Sequence, residues 1–182
     1  LYTMTSPALK DIIARTNFRS INLFAEHLLR HCQLKASNYD IKNINKNYVE
    51  NFWSYKGVSS LGMRIYDGSG LSKYNTITAK QVVSILKYMK KNSKYSETFY
   101  ESIPVVGKDG TVKNICKGTS AVNNMRAKSG SIKSVRAYAG YVTTVSGREV
   151  AFALIINNYN GSSSKTRKKM EKLMAAIADF NI

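Results

Sequence analysis

Val135-Arg136-Ala137-Tyr138-Ala139-Gly140-Tyr141-Val142-Thr143-Thr144-Val145-Ser146-Gly147-Arg148-Glu149-Val150-Ala151-Phe152-Ala153-Leu154-Ile155-Ile156 is the stretch on which the fold turns. Its first half alternates and is rich in Tyr, Val and Thr, as a half-buried strand is. Ser146-Gly147 marks a tight turn. The second half closes on the apolar run Phe152 to Ile156, so a further strand is expected from Arg148 to Asn157. Upstream, Asn124 to Ile132 reads as a third strand. Three consecutive strands joined by short turns must be antiparallel neighbours.

Outward from this set the period changes from two to helical. After the Asn160-Gly161-Ser162-Ser163-Ser164 loop, Met170, Leu173, Met174 and Ile177 share one helical face. Upstream, Ser6-Pro7 reads as a cap and first helical position, opening a helix to about Thr16. A second helix is expected from about Ser20 to Leu34, with Ser20 as a possible N-cap, and a third from Asn45 to Tyr55, stopped by Gly57. Thr78 opens a fourth helix through Met89, and Tyr95 to Ser102 is a short fifth. Pro104 to Ser120 reads as loop, with Lys108-Asp109-Gly110 as a hairpin tip. Helices, an antiparallel strand set and a covering helix make an α+β layered architecture.

The composition narrows the classes. The chain has 182 residues, 43% of them apolar and 10% aromatic, enough for a sizeable core. Two cysteines exclude a disulfide scaffold, and no apolar run approaches the roughly 18 residues of a membrane-spanning helix. The formal net charge is +17, which favours anionic partners. Basic residues gather at Lys87, Lys90, Lys91 and Lys94, and again from Lys165 to Lys172. No helix-turn-helix, zinc-finger or ribonucleoprotein pattern accompanies them, so no specific nucleic-acid partner is expected. A solvated basic face drawn to anionic wall or membrane surfaces is the plainer reading.

Two polar clusters can carry chemistry. In Lys128-Ser129-Gly130-Ser131 an ammonium attracts a carboxylate and a hydroxyl donates to it. A glycine on an edge strand admits a ligand backbone. In Ser20-Ile21-Asn22 a hydroxyl and an amide two residues apart can point into one cleft. His27 and His31 lie four apart on a helix, but the order is not His-Glu-x-x-His, and no metal is expected. Cys32 and Cys116 read either as a pair in an exported protein or as two buried thiols. Asn160-Gly161-Ser162 matches a glycosylation acceptor pattern and nothing else supports that use.

Together, Ser-x-Asn followed on a later strand by Lys-Ser-Gly resembles the serine penicillin-recognising enzymes. Thr16-Asn17-Phe18-Arg19-Ser20-Ile21-Asn22-Leu23-Phe24-Ala25-Glu26-His27-Leu28-Leu29 is similar to the second-motif helix of the D-alanyl-D-alanine carboxypeptidase/endopeptidase family called S13. Asp67-Gly68-Ser69-Gly70-Leu71-Ser72 resembles another stretch of that family. Ala139-Gly140-Tyr141-Val142-Thr143-Thr144, with Ser146-Gly147 and Val150-Ala151-Phe152, resembles its hairpin after the third motif. The resemblance runs from about Ser6 to the last helix.

It implies a β-lactamase/penicillin-binding transpeptidase-like fold and no cofactor. It implies Ser20, Asn22 and Lys128 as catalytic residues, and Ser129, Gly130 and Ser131 as substrate-binding ones. The implied ligands are peptidoglycan D-Ala-D-Ala peptides and β-lactam antibiotics, and the implied location is periplasmic or otherwise extracytoplasmic. The family's nucleophile sits in a Ser-x-x-Lys motif well upstream of the second motif, and only nineteen residues precede Ser20. Ser84-Ile85-Leu86-Lys87 has the letters but the wrong chain order, and reads as ordinary helix. The expectation is therefore the C-terminal portion of one penicillin-binding domain, residues 1-182, with the N-terminal half as its missing partner and no activity of its own. The alternative is a wall or polyanion binding module without chemistry.

Overall fold

The computed structural model describes residues 2–181. Strands β1 (Met125–Ile132), β2 (Val135–Thr143) and β3 (Glu149–Ile156) form one antiparallel sheet in the order β1-β2-β3. Lys128 lies opposite Ala139, and Tyr138 opposite Leu154. The two-residue link Lys133-Ser134 puts Ser134 at φ 58, and Gly147 takes φ 78 in the second turn. These are the positive angles that tight turns need.

The alternation of side chains divides the labour between the two faces. One face carries Met125 and Ala127 from β1, Tyr138 and Val142 from β2, and Phe152 from β3. Helix α6 (Ser163–Ala178) closes this face with Met170, Met174 and Ala178, each with no exposed area. Ser162 caps α6 by accepting from the Lys165 N–H. The opposite face is lined by small residues. Ala139 and Ala151 flank Tyr141, which packs with Leu86 of α4 (Ala79–Asn92) and with Ile103. The buried Tyr141 hydroxyl donates to the Leu86 carbonyl at 2.6 Å, so the tyrosine is satisfied and α4 is fixed in register. A reciprocal capping box between Thr78 and Gln81 starts α4. Helix, sheet and helix make the expected α+β layers.

The remaining helices are α1 (Leu9–Arg19), α2 (Asn22–Ala36), α3 (Tyr48–Tyr55) and α5 (Ser96–Glu101). Three local expectations are corrected. Ser6-Pro7 does not cap α1, because Ala8 is extended at ψ 145 and stands between them and the first turn. Ser20 does not cap α2. It ends α1 in the left-handed region at φ 53, and Ile21 is the extended residue before α2. Lys108-Asp109-Gly110 is no hairpin tip, since residues 110–112 form a 3-10 turn. The preceding segment pairs with β1 instead: Val106 N–H donates to Met125 O at 2.8 Å, and Ala127 N–H to Pro104 O at 3.0 Å. A long-range edge contact overrides the local turn signal.

Gly140 shows how tightly the sheet is fitted. A Cβ there would lie 2.0 Å from the Arg126 carbonyl oxygen, whereas at Gly130 it would meet only the Ala137 Cβ at 3.8 Å. Gly140→Ala is expected to cost about 1–3 kcal/mol in urea unfolding, as overpacking does, while Gly130→Ala leaves stability nearly unchanged. The two cysteines are unpaired, Cys32 exposed and Cys116 buried. Neither sequence expectation, a bridge or two buried thiols, describes that arrangement. Burial pushes the Cys116 thiol up to about 11. Burial raises the Cys32 thiol as well, but Cys32 is exposed, so a thiol reagent should modify it in the folded protein and reach Cys116 only on unfolding. Two sites modified in the folded protein would contradict this packing.

Candidate active site

Segment 104–106 covers only the first half of the outer edge of β1. Its bonds engage Met125 and Ala127, so the parity of the ladder turns the N–H and C=O groups of Ser129 and Ser131 to the same outer side. Beyond Ala127 that edge is open among the described residues. Lys128, one residue out of phase, projects its side chain from the face opposite α6.

There it meets the α1–α2 junction. The Lys128 Nζ donates to the Ser20 Oγ at 2.9 Å, across 108 residues of sequence, and to its neighbour's Ser129 carbonyl at 2.7 Å. Two features hold Ser20 in place. Its own left-handed backbone reverses the chain between two helices, and its N–H bonds to Thr16 O. Strain of this kind, of the order of 1–2 kcal/mol for a residue with a Cβ, persists where surrounding structure imposes it. The end of α1 also presses on the 3-10 turn. A Cβ on Gly110 would lie 2.5 Å from the Phe18 carbonyl oxygen, so the approach requires glycine at this φ of 52°.

The same turn supplies Thr111, whose Oγ1 lies 2.8 Å from the Ser129 Oγ. Ser20, Lys128, Ser129 and Thr111 thus form one polar row along the open edge of β1. Asn22, the first residue of α2, is exposed, as are Gly130 and Ser131 further along β1. The side chains of Asn22 and Ser131 have no hydrogen-bond partner among the described residues. Glu26, one turn after Asn22, accepts from the N–H groups of Gly68 and Ser69 at 3.2 and 3.1 Å. Burial pushes its carboxyl pKa up, but the Ser69 hydroxyl and these two N–H groups outweigh that and hold it below the usual range. Asp67 braces the loop from within by accepting from Gly70 N–H at 2.6 Å. So the Asp67–Ser72 block is docked on the helix that carries Asn22.

Sequence reasoning brought Ser20 and Lys128 together, and the structure places them in contact. It missed Thr111, Gly110 and Glu26. Thr111 and Gly110 lie in the segment read as a hairpin tip and its surroundings, and nothing local marks them. Glu26 belongs to the quoted helix block without a signal of its own. The two Ser-x-x-Lys strings of the chain serve structure: Ser84 lies within α4, and Ser162 is spent as the α6 cap.

Electrostatically, Lys128 stands alone. The ion pairs among the described residues are Lys90–Glu149 and Arg167–Glu171, so its ammonium has no carboxylate to neutralise it. Burial pushes its pKa below the usual lysine value. A half-buried cation with only a hydroxyl and a carbonyl as partners is arranged to receive an anion.

Residues 1–179 match the D-Ala-D-Ala carboxypeptidase 3 (S13) family. The chain belongs to this family. It is 30% identical over 175 residues to the D-alanyl-D-alanine carboxypeptidase DacB of Haemophilus influenzae, covering 93% of this chain and 36% of that protein. The crystal structure of penicillin binding protein 4 (dacB) from Haemophilus influenzae, complexed with a novel beta-lactam, superposes with a TM-score of 0.83 at 25% identity. That overlap takes in 93% of this chain and 41% of that one. The TLA-1 extended spectrum beta-lactamase shares the fold, with a TM-score of 0.70 at 21% identity over 94% of this chain and 63% of that one. The chain therefore has the penicillin-binding, β-lactamase-like fold that the sequence resemblance implied, and spans about a third of the curated relative's length.

The lowered pKa of Lys128 has a sign that can be measured. The folded value lies below the unfolded one, so the native state sheds this proton first. Its contribution to stability therefore rises with pH through the window between the two values. In a titration of lysine Nζ resonances, Lys128 should have a lower midpoint in the folded protein than in the urea-unfolded chain. Equal midpoints would contradict the desolvated placement.

Proposed function

We propose that this chain furnishes one wall of the active cleft of a serine-type D-Ala-D-Ala carboxypeptidase/endopeptidase. In this reading the enzyme acts on peptidoglycan stem peptides through an acyl-enzyme and binds β-lactams. The observation that carries the reading is the Lys128–Ser20 contact at the open edge of β1. It joins the two clusters whose combination carried the family resemblance.

The chemistry follows from the positions. The terminal carboxylate of the peptide is drawn to Lys128, and the Ser129 hydroxyl donates to it, oriented by Thr111. The peptide tail lies along β1 where the edge is free, with the Asn22 amide donating to a substrate carbonyl. Ser131 N–H, on the outer side of the strand, serves as one oxyanion donor. A serine hydroxyl from a Ser-x-x-Lys motif outside residues 1–182 adds to the carbonyl carbon of the penultimate D-Ala, and its proton passes to the lysine of that motif. The C–N bond then breaks. The departing D-Ala amine takes a proton through Ser20, which Lys128 holds by hydrogen bond. Water releases the acyl group. A single missing oxyanion donor costs roughly 10²–10³ in rate, so these N–H groups must be held rigidly. In this reading the enzyme works on the outer side of the cytoplasmic membrane, where such a substrate lies.

The test is fluorescent penicillin labelling of the full-length gene product. Labelling is expected, and Lys128→Ala and Ser20→Ala should each slow it at least about 100-fold while circular dichroism stays unchanged. A full-length protein that takes no label and releases no D-Ala would overturn the reading. Retention on cell-wall sacculi without labelling would favour a wall-binding module instead.

A further inference from the structure

The cleft accounts for one cation and leaves most of the charge unexplained. The densest remainder is on α6. Its inner side is fixed by Met170, Met174 and Ala178, all fully buried. At about 100° per residue, Lys165, Lys168, Lys169 and Lys172 fall within an arc of about 100° on the opposite side. All four are exposed. Within α6 itself no acid shares that arc. Glu171, the one carboxylate of the helix, accepts from Cys116 N–H at 3.0 Å and pairs with Arg167 at 3.2 Å. Asp179, just past the helix, is bonded to Ser120. Beside Glu171, the loop around Cys116 adds exposed Lys113 and Lys117.

The border of the arc is apolar. Leu173, 50% exposed, falls next to the edge of the lysine arc, and Phe180, 53% exposed, follows just past the end of the helix, where its N–H bonds to Ile177 O. A helix that presents a single-sign stripe of lysines edged by unburied Leu and Phe has the composition of a face that lies on an anionic lipid surface. The ammonium groups attract phosphate headgroups, and the two apolar side chains enter the boundary below them. A soluble polyanion would use the lysines and gain nothing from Leu173 and Phe180.

We propose that the outer face of α6 docks this protein on an anionic phospholipid bilayer. The sheet then sets the orientation. α6 covers the face that carries Met125 and Ala127, whereas Lys128 projects from the other face. A bilayer under α6 lies on the far side of the sheet from Lys128. The docking itself does not depend on the chemistry proposed for the cleft.

The experiment is co-sedimentation of the full-length protein with vesicles, read beside its penicillin labelling. Binding is expected to phosphatidylglycerol-rich vesicles and not to pure phosphatidylcholine, and it should weaken steeply with salt. Replacing Lys165, Lys168, Lys169 and Lys172 together by Gln should reduce it at least about tenfold. The same loss of charge at Lys35, Lys87, Lys91 and Lys94 should reduce it far less. Leu173→Ser with Phe180→Ser should weaken vesicle binding and leave retention by inorganic polyphosphate unchanged. The proposal is overturned if the two lysine sets act equally, which means diffuse charge. It is also overturned if the apolar pair has no effect on vesicles, which means a soluble polyanion. Labelling that is normal in every variant separates this outcome from failure of the cleft.

Discussion

A half-buried ammonium that has no carboxylate partner among the described residues is the constraint on which the site depends. Lys128 lies in a sheet whose neighbouring layers are apolar, and its ammonium reaches only the Ser20 hydroxyl and the Ser129 carbonyl. Desolvation of a cation is costly unless hydrogen bonds or an opposing charge offset it. Two neutral oxygens offset it in part, and the depressed pKa records the remainder. Among the described residues no acid forms an ion pair with Lys128. The chain keeps Glu26 occupied with the Gly68 and Ser69 amides, away from the lysine. On the function proposed above, stability is left unclaimed at the point where the substrate carboxylate would supply it, the common pattern of binding sites that oppose the rest of the fold.

The sheet separates that demand from the demands of folding. Because side chains alternate, one register serves two purposes. The large residues Met125, Tyr138 and Phe152 meet the methionines of α6 on one side, and this side forms the larger core. On the other, alanines make room for α4 and Tyr141, and the same phase sends Lys128 toward the α1–α2 junction. A slip of one residue would exchange the two faces and place the lysine among the methionines. The close fit of Gly140 against the Arg126 carbonyl therefore protects the site as well as the sheet.

What was legible in the sequence follows from how local each signal is. The three strands were legible because alternation and the turn residues are local, and their order followed from short connections. The α4 cap was legible from Thr78. The pairing of Ser20 with Lys128 was legible only through the combination of motifs, since each cluster alone reads as a cap or a basic turn. What stayed hidden depends on contacts between distant segments. Residues 104–106 lie against β1, so Gly110 and Thr111 enter the site through a turn that local composition reads as a hairpin. Ser20 carries the residue type of an N-cap, but the helix before it determines its backbone, and its hydroxyl is turned toward the strand.

The basic composition also resolves into parts with different physics. Lys90 is paired with Glu149 and sits 3.9 Å from the centroid of the Tyr100 ring, which makes it a packing element between α4, α5 and β3. Lys128 is a single, partly dehydrated charge whose effect is short-ranged and strong. The α6 lysines are hydrated, individually weak and additive, and salt screens them within about 8–10 Å. A net charge of +17 treats these as equal. Burial and partners distinguish them. A partly dehydrated cation favours one carboxylate at one position, whereas a row of hydrated cations favours an extended anionic surface without regard to position. The two proposed sites can therefore share one small fold, because they draw on different degrees of desolvation.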